Sequence, residues 1–273
     1  MAEEPNESNA DTTPGQQPAA MEVHHAHHIH GNKKWKDYLS EFVMIFLAVT
    51  AGFFAETLRE HIGDTKKEKE YMVSLIADLK EDTADINQVT RVLFKNIRGQ
   101  DSLILLLKSF HENDSSAKKA YRYYLRYTIG VPQVIFNEGT STQLLGSGSM
   151  HLVSAHAIAD SIMDYINYVK FNKVQAGYYN DQFKKCFDYS TNLFDFTVAR
   201  NPLQENFQRA NTWFLHLDKL HLLSHDPLQL QKYCNELTML QSIINGYVLN
   251  LAAAKNKAGA LIALLQKKYR LAE

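Results

Sequence analysis

The chain has 273 residues, of which 45% are hydrophobic and 22% are charged, an ordinary composition for a protein that buries a core. This excludes disorder along the whole length. The 29 basic residues are balanced by 30 acidic ones, and a general nucleic-acid binder would carry a basic surplus. We therefore expect no nucleic-acid partner and room for one large domain or two small ones.

Residues 1–32 form the first predicted segment, an acidic and His-rich tail without Lys or Arg. Its Pro, Gln, Asn and Thr content cannot bury enough apolar surface to offset the entropy of ordering, which predicts disorder. Translation could start at Met1 or at Met21. Five histidines near the end of the tail could chelate zinc, nickel or copper, or could simply be solvated groups whose charge changes with pH. They are His24, His25, His27, His28 and His30. We predict no metal site and no cofactor.

Residues 33–58 are predicted to form a basic flank and a transmembrane helix. The fourteen residues 42–55, FVMIFLAVTAGFFA, carry no charge, and the semi-polar flanks extend the run to about 21 residues. About 20 apolar residues cross a bilayer core. Clustered lysines and aromatic side chains before the run are typical of a membrane interface. The predicted interface residues are Lys33, Lys34, Trp35, Lys36, Tyr38, Glu41 and Glu56.

Two other interpretations of this run are a cleaved signal peptide and a buried helix of a soluble protein. Cleavage after Ala55 would place Phe53 where a small residue is preferred, so we expect the helix to be retained. A soluble helix has a one-sided apolar stripe, whereas this run is apolar all round. The two carboxylates Glu41 and Glu56 mark the interfaces in our interpretation, the alternative being a proton path.

Small residues at a spacing of four predict close approach of a partner helix within the membrane. The pairs are Ala48 with Gly52, and Ala51 with Ala55. This indicates self-association, although alanine and glycine are also simply frequent in membrane helices. Three lysines lie closely before the run, while the four basic residues after it are mixed with acids. We therefore expect a cytoplasmic N-terminus and an exported C-terminal domain.

Residues 59–273 are predicted to form a helical bundle domain. Apolar residues recur in steps of three, four and seven over 66–110, and further helices are expected over 116–129, 140–145, from about 154 to 200, over 203–224 and over 226–271. Expected N-caps are Ser115 or Ser116, Asn137 and Asp226, the last followed by Pro227. The prediction is an all-α protein in which an N-terminal transmembrane helix precedes an antiparallel bundle of long helices.

Catalytic signatures are missing from the sequence. It contains no nucleophile elbow, zinc-binding HExxH helix, CxxC pair or phosphate-binding loop, and we predict that the protein is not an enzyme. The pairs His151/His156 and His216/His221 are five apart and do not share a helix face, which favours structural roles. Cys186 and Cys234 could pair across the bundle or remain buried thiols.

Two stretches resemble a family of uncharacterised bacterial membrane-anchored proteins. The first, 21–86, includes EFVMIFLAVTAGFFAETLREH and the rhythm EYMVSLIADLKED, and the second is TSTQLLGSGSMHLV at 140–153. The first third of the chain matches closely, the middle loosely, and 203–273 only in helical character. The resemblance implies a bacterial inner-membrane protein with a single anchor followed by a helical domain, and an exported domain would then lie in the periplasm. It carries no activity, substrate or catalytic residues.

We expect the helical domain to act as a scaffold or interaction module. Its expected partners are the lipid bilayer and either further copies of the chain or another membrane or envelope protein. The alternative is a sensory or ligand-binding bundle whose aromatic residues line a pocket. The competing interpretation of these aromatic residues is ordinary core packing. Those residues are Tyr178, Tyr179, Phe183, Phe187, Phe194 and Trp213.

Overall fold

The computed structural model describes residues 34–111, 113–197 and 220–271. Its elements are α1 (Trp35–Lys108), α2 (Asp114–Tyr127), α3 (Gly139–Gly146), a 3-10 turn (Ser149–Leu152), α4 (His156–Ser190) and α5 (Pro227–Tyr269). No strand occurs in the described ranges, which confirms the all-α prediction. The chain divides into two compact units, Met1–Leu58 and Arg59–Glu273.

The core of the unit Arg59–Glu273 is built from three long helices that each bury a residue at every seventh position. In α1 these are Met72, Leu79, Ile86, Leu93, Gln100 and Leu107. In α4 they are Ile158, Tyr165, Asn172, Tyr179 and Cys186. In α5 they are Leu230, Leu237, Ile244, Leu251, Ala258 and Leu265. Further buried residues lie three or four positions from the members of each row. They widen the row into the apolar stripe through which helices pack.

Helices α4 and α5 pack closely against each other. The rings of Tyr179 and Tyr247 lie 6.1 Å apart. The Gln182 side chain donates to both the backbone oxygen and the carboxylate of Glu236, at 3.3 and 2.7 Å. Because these amide hydrogens are satisfied, Gln182 can be buried within an otherwise apolar contact.

Helix α1 contacts α5 through polar groups as well as through its apolar stripe. Gln241 donates to the Ile97 backbone oxygen at 3.2 Å and to the Asp101 carboxylate at 2.8 Å. Near the other end of this contact, the Tyr269 hydroxyl donates to Glu68 at 2.6 Å. These bonds fix the register of the two helices, which apolar contacts alone specify less strictly.

Two of the three predicted N-caps differ from the structure. Asn113, rather than Ser115 or Ser116, caps α2 by accepting from the Ser116 N–H at 2.9 Å. Asn137 does not cap α3, because its own N–H groups donate to Asp82. Asp226 is confirmed as the cap of α5, with its carboxylate accepting from the Leu228 N–H at 3.3 Å.

Helix α4 ends at Ser190, about ten residues earlier than predicted. The chain turns there because the Phe194 ring stacks on Tyr124, with ring centroids 4.2 Å apart, and meets Tyr121 edge-on. The Ser190 hydroxyl, which pairs with that of Tyr124 at 2.9 Å, closes this end of the helix. Most of the predicted helix over 203–224, including Trp213, lies outside the described residues.

Gly99 is required for the packing of α2 on α1. A Cβ atom there would lie 2.1 Å from the Tyr127 ring.

We expect Gly99→Ala to lower the free energy of unfolding by about 1–3 kcal/mol because of this overlap. Gly63→Ala is the matched control: its Cβ would meet nothing within 4 Å, so the better helix propensity of alanine should stabilise the domain by about 0.5–1 kcal/mol. Urea unfolding followed by circular dichroism measures both, and equal effects would contradict this role of Gly99.

Candidate functional site

The segment 34–58 exposes apolar side chains on all sides of α1. Every residue in it is exposed, and the large apolar ones are Trp35, Tyr38, Leu39, Phe42, Val43, Met44, Ile45, Phe46, Leu47, Val49, Phe53, Phe54 and Leu58. A contiguous apolar surface of this kind marks a site of contact with a membrane or another protein. By length and hydropathy α1 and α5 could each cross a membrane, with 0% of the most apolar stretch buried in α1 and 33% in α5. These helices weakly indicate membrane association.

Polar side chains inside the apolar segment are satisfied locally. The hydroxyl of Thr50 donates to the Phe46 backbone oxygen at 2.8 Å, and that of Thr57 to the Phe53 oxygen at 2.9 Å. At the helix start, the Lys34 N–H donates to the Asp37 carboxylate at 2.9 Å. These two hydroxyl hydrogens therefore do not depend on water, which a hydrocarbon environment would not supply.

The small residues predicted for helix association are all exposed on α1. Ala48, Ala51, Gly52 and Ala55 carry no covering side chain, and a Cβ atom added at Gly52 would meet nothing within 4 Å. The face that they form is therefore open to a neighbouring helix.

The predicted interface residues lie at both ends of the apolar run. Lys34, Trp35, Lys36, Tyr38 and Glu41 precede it and Glu56 follows it. Lys33 and the tail histidines lie outside the described residues. Within the described ranges, no group of three or more His, Cys, Asp or Glu residues could hold a metal ion.

Three carboxylates of α1 bind the backbone of the connecting segment between α2 and α4. Glu68 accepts from the Ser154 N–H at 2.7 Å, Asp78 from the Thr140 N–H at 3.2 Å, and Asp82 from the Asn137 N–H at 2.8 Å. Thr140 lies in the first turn of α3, so Asp78 takes the place of a local N-cap. Asp78 thus has a structural partner in α3.

Asp82 is the most enclosed of these carboxylates, with 0% of its surface exposed. Besides the Asn137 N–H it accepts from the Asn137 side chain at 3.1 Å and from the Tyr165 hydroxyl at 2.6 Å. Burial raises its pKa above the ordinary value of 3.8, the effect being opposed by these hydrogen bonds and reinforced by the negative charge of Asp78. Burial and the bond to Asp82 also raise the pKa of Tyr165. This arrangement suits structural support rather than proton transfer at neutral pH.

Glu68 repeats the arrangement near the C-terminal end of α5. It is buried and accepts from the Ser154 hydroxyl at 3.1 Å and from Tyr269, in addition to the Ser154 N–H. Burial and the bond to Glu68 raise the pKa of Tyr269. One carboxylate therefore holds together α1, the segment just before α4 and the end of α5.

Cys186 and Cys234 are free and buried. Burial raises the pKa of the Cys186 thiol to about 12 and also raises that of Cys234. Because the thiolate is the reactive form, we expect a thiol reagent such as dithionitrobenzoate to label neither cysteine in the folded protein and both after unfolding in guanidinium. Rapid labelling of the folded chain would contradict the buried placement, and resistance to labelling after unfolding would indicate a disulfide.

The aromatic residues proposed as a pocket lining do not share one surface. Tyr179 and Phe194 are buried, while Tyr178 is exposed. Phe194 packs between Tyr124 and the edge of Tyr233, as in an ordinary core. Trp213 lies outside the described residues.

Comparison of the chain with models of known families, with curated proteins and with solved structures found no match.

Proposed function

We propose that the chain is a single-pass membrane protein whose segment 33–58 anchors a helical scaffold or interaction domain. The observation that carries this proposal is the exposure of every side chain over 34–58, in a run long enough to cross a bilayer. In water such a surface would be a severe aggregation hazard, whereas hydrocarbon stabilises it.

Helix α5 is assigned to the domain rather than to the membrane. Its buried row from Leu230 to Leu265 packs in the core, and Gln241 binds polar groups of α1. A helix inserted in lipid would lose these contacts. This supports one membrane span instead of two.

The domain is proposed to be an antiparallel bundle. Between α1 and α5, Asp101 pairs with Gln241 and Glu68 with Tyr269, so residue numbers rise along one helix as they fall along the other. Between α4 and α5, Glu236 pairs with Gln182 and Lys257 with Asp164, in the same opposed sense. The rows of buried residues at every seventh position favour close side-by-side packing of this type.

The scaffold role is supported by the open face of the anchor and by the buried carboxylates of α1. The buried carboxylates are occupied by backbone and tyrosine donors, which suits rigidity. The bilayer and a second copy of the chain, or another envelope protein, are the proposed partners. The proposed location is the bacterial inner membrane, with the N-terminus in the cytoplasm and the domain in the periplasm.

Self-association through the anchor is tested by crosslinking the full chain in carbonate-washed membranes. We expect the double variant Ala48→Leu/Gly52→Leu to reduce the dimer yield several-fold, because branched side chains keep the partner helices apart. The matched control is Val43→Leu/Val49→Leu, which changes apolar residues of the same run that are already large. Unchanged crosslinking in the Ala48/Gly52 variant would contradict association through this face.

A further inference from the structure

The hairpin formed by α1 and α2 carries a surplus of positive charge. Residues 88–129 contain eight basic and three acidic residues, whereas the net charge of the whole chain is −1. The acid that lies in α1, Asp101, is engaged by Gln241 of α5 at 2.8 Å. The ion pairs found among the described residues leave out six exposed basic residues of this hairpin. These are Arg91, Lys95, Arg98, Lys119, Arg122 and Arg126.

Helix α2 runs back along α1, and the two helices touch at Gly99 and Tyr127. Helix α1 ends at Lys108 and α2 begins at Asp114, so the start of α2 is near the end of α1. The far end of α2 reaches Gly99, where an added Cβ atom would lie 2.1 Å from the Tyr127 ring. At the same place the Gln100 side chain donates to the Tyr127 backbone oxygen at 3.0 Å. The two helices are therefore antiparallel neighbours.

Basic side chains lie in the two rows of residues that border this contact. Residues four positions apart share one side of a helix and form such a row. On α1 the row that leads to the contact is Arg91, Lys95 and Gly99, and on α2 it is Lys119, Tyr123 and Tyr127. The three basic members are exposed. We call the surface along these two rows the basic groove.

The positive charges are spread along the basic groove. Lys119 lies two turns from the contact on one side, and Arg91 lies two turns from it on the other, because the helices are antiparallel. At 1.5 Å per residue this distance is about 24 Å. Near the contact itself, the Arg126 guanidinium lies 5.6 Å from the centre of the Tyr127 ring, which stacks on the Tyr123 ring at 6.1 Å. This linear arrangement fits an elongated polyanion better than a single small anion.

Apolar side chains beside the groove favour a polypeptide as that polyanion. Phe94 and Leu105 lie on the same side of α1 as Arg98, and they are 45% and 68% exposed. Arginine and aromatic residues are the types that protein interfaces favour. An acidic amphipathic helix offers carboxylates to the basic side chains and apolar side chains to Phe94 and Leu105. The backbone of a nucleic acid offers charge alone.

We propose that the basic groove binds an acidic amphipathic helix of a partner protein. The carboxylates of that helix accept from the basic side chains of both rows, and its apolar side chains pack on Phe94 and Leu105. This assigns a chemistry to the partner of the interaction domain, and it rests on that proposed role. Because the groove lies within the unit Arg59–Glu273, its test does not depend on the anchor.

The test is fluorescence anisotropy on the full chain in nanodiscs of phosphatidylcholine, a lipid without net charge. The probe is a labelled peptide of about 18 residues, long enough to follow the groove as a helix. It consists of glutamate with leucine at every third or fourth position, and the control probe has glutamine in place of glutamate. The glutamate peptide should bind with an affinity that falls as salt is added, and the glutamine peptide should bind at least about tenfold more weakly.

Charge reversal on both sides of the contact shows where the peptide binds. Lys95→Glu/Arg126→Glu should weaken binding of the glutamate peptide about tenfold or more, whereas Lys95→Arg/Arg126→Lys keeps both charges and should bind within about threefold of the unchanged chain. The matched control is Lys170→Glu/Lys255→Glu, which reverses one exposed charge on each of α4 and α5. It should bind as the unchanged chain does, and circular dichroism should show equal helicity for all variants.

Three results would overturn the proposal. One is absence of binding by the glutamate peptide at physiological salt, and another is an equal loss of binding in the Lys95/Arg126 and Lys170/Lys255 charge reversals. The third is tighter binding of an oligothymidine or of phosphatidylglycerol vesicles than of the peptide, because it would assign the groove to a nucleic acid or to a lipid surface.

Discussion

Replacing Asp82 with alanine is expected to lower the free energy of unfolding by about 3 kcal/mol. The variant would leave the Asn137 N–H and the Tyr165 hydroxyl without their acceptor, and each unsatisfied buried group costs about 1–3 kcal/mol. The three hydrogen bonds to one carboxylate also hold the connecting segment on α1, so the loss should be cooperative. Urea unfolding followed by circular dichroism measures the difference.

Two further variants show whether the effect belongs to these hydrogen bonds. Asp82→Asn keeps an oxygen for Asn137 and should cost about 1 kcal/mol. Asp85→Ala changes an exposed acid one turn away and should stay within about 0.5 kcal/mol of the unchanged chain. If Asp82→Ala were no worse than Asp85→Ala, the role assigned to Asp82 would be wrong.

The pH dependence of stability gives the same variants a second readout. Because the pKa of Asp82 is raised in the folded state, the folded chain binds this proton more tightly than the unfolded chain does. The contribution of Asp82 to stability therefore increases as pH falls through the raised pKa, and it is complete below the ordinary value of 3.8. The difference in stability between the unchanged chain and Asp82→Asn should show this rise.

Two arginines in the middle of the apolar run are expected to abolish membrane insertion. Translocon scales assign about 3 kcal/mol to one arginine at the centre of a span, so Leu47→Arg/Val49→Arg should cost roughly twice that amount. We expect the variant to leave the carbonate-resistant membrane fraction, whereas the unchanged chain stays in it. Fractionation followed by immunoblotting measures the distribution.

The control for this variant places the same charges on the other part of α1. Leu105 is 68% exposed, compared with 59% for Leu47, and Val92 is also exposed. Leu105→Arg/Val92→Arg should therefore leave membrane association unchanged. Retention of the Leu47/Val49 variant in carbonate-washed membranes would show that residues 42–55 are not the anchor.

The helices could be predicted from the sequence because their signals are local. The start of α5 follows from the neighbours Asp226 and Pro227, and its buried row follows from apolar residues at every seventh position. The apolar segment 42–55 was equally easy to recognise as a helix with an apolar surface, because it lacks a polar face. Periodicity therefore identified α5 as a helix and the side that it buries.

The carboxylate contacts could not be predicted because they join residues that are far apart in sequence. Asp78 and Thr140 are separated by 62 positions, and periodicity tells which face a residue occupies but not what lies opposite it. The caps of α2 and α3 were missed for related reasons. Asn113, Ser115 and Ser116 lie within one turn and are all suitable N-cap residues for α2. Asn137 does not cap α3 because its side chain donates to Asp82.

The contact between Asp78 and Thr140 also joins two stretches that the sequence analysis singled out. Asp78 belongs to the EYMVSLIADLKED rhythm and Thr140 begins TSTQLLGSGSMHLV, and these two stretches meet in the structure. The carboxylate of Asp78 accepts from an N–H in the first turn of α3 that has no partner within its own helix. The two motifs are thus the two sides of one contact.

The membrane topology of the full chain tests the central claim most directly. A chain with different tags at its N- and C-termini is expressed in bacteria, and intact spheroplasts are treated with protease, with a cytosolic protein as the leakage control. A single span over 33–58 predicts that the C-terminal tag is digested while the N-terminal tag is protected. Two spans formed by α1 and α5 would place both tags on the same side of the membrane, and that result would contradict the account.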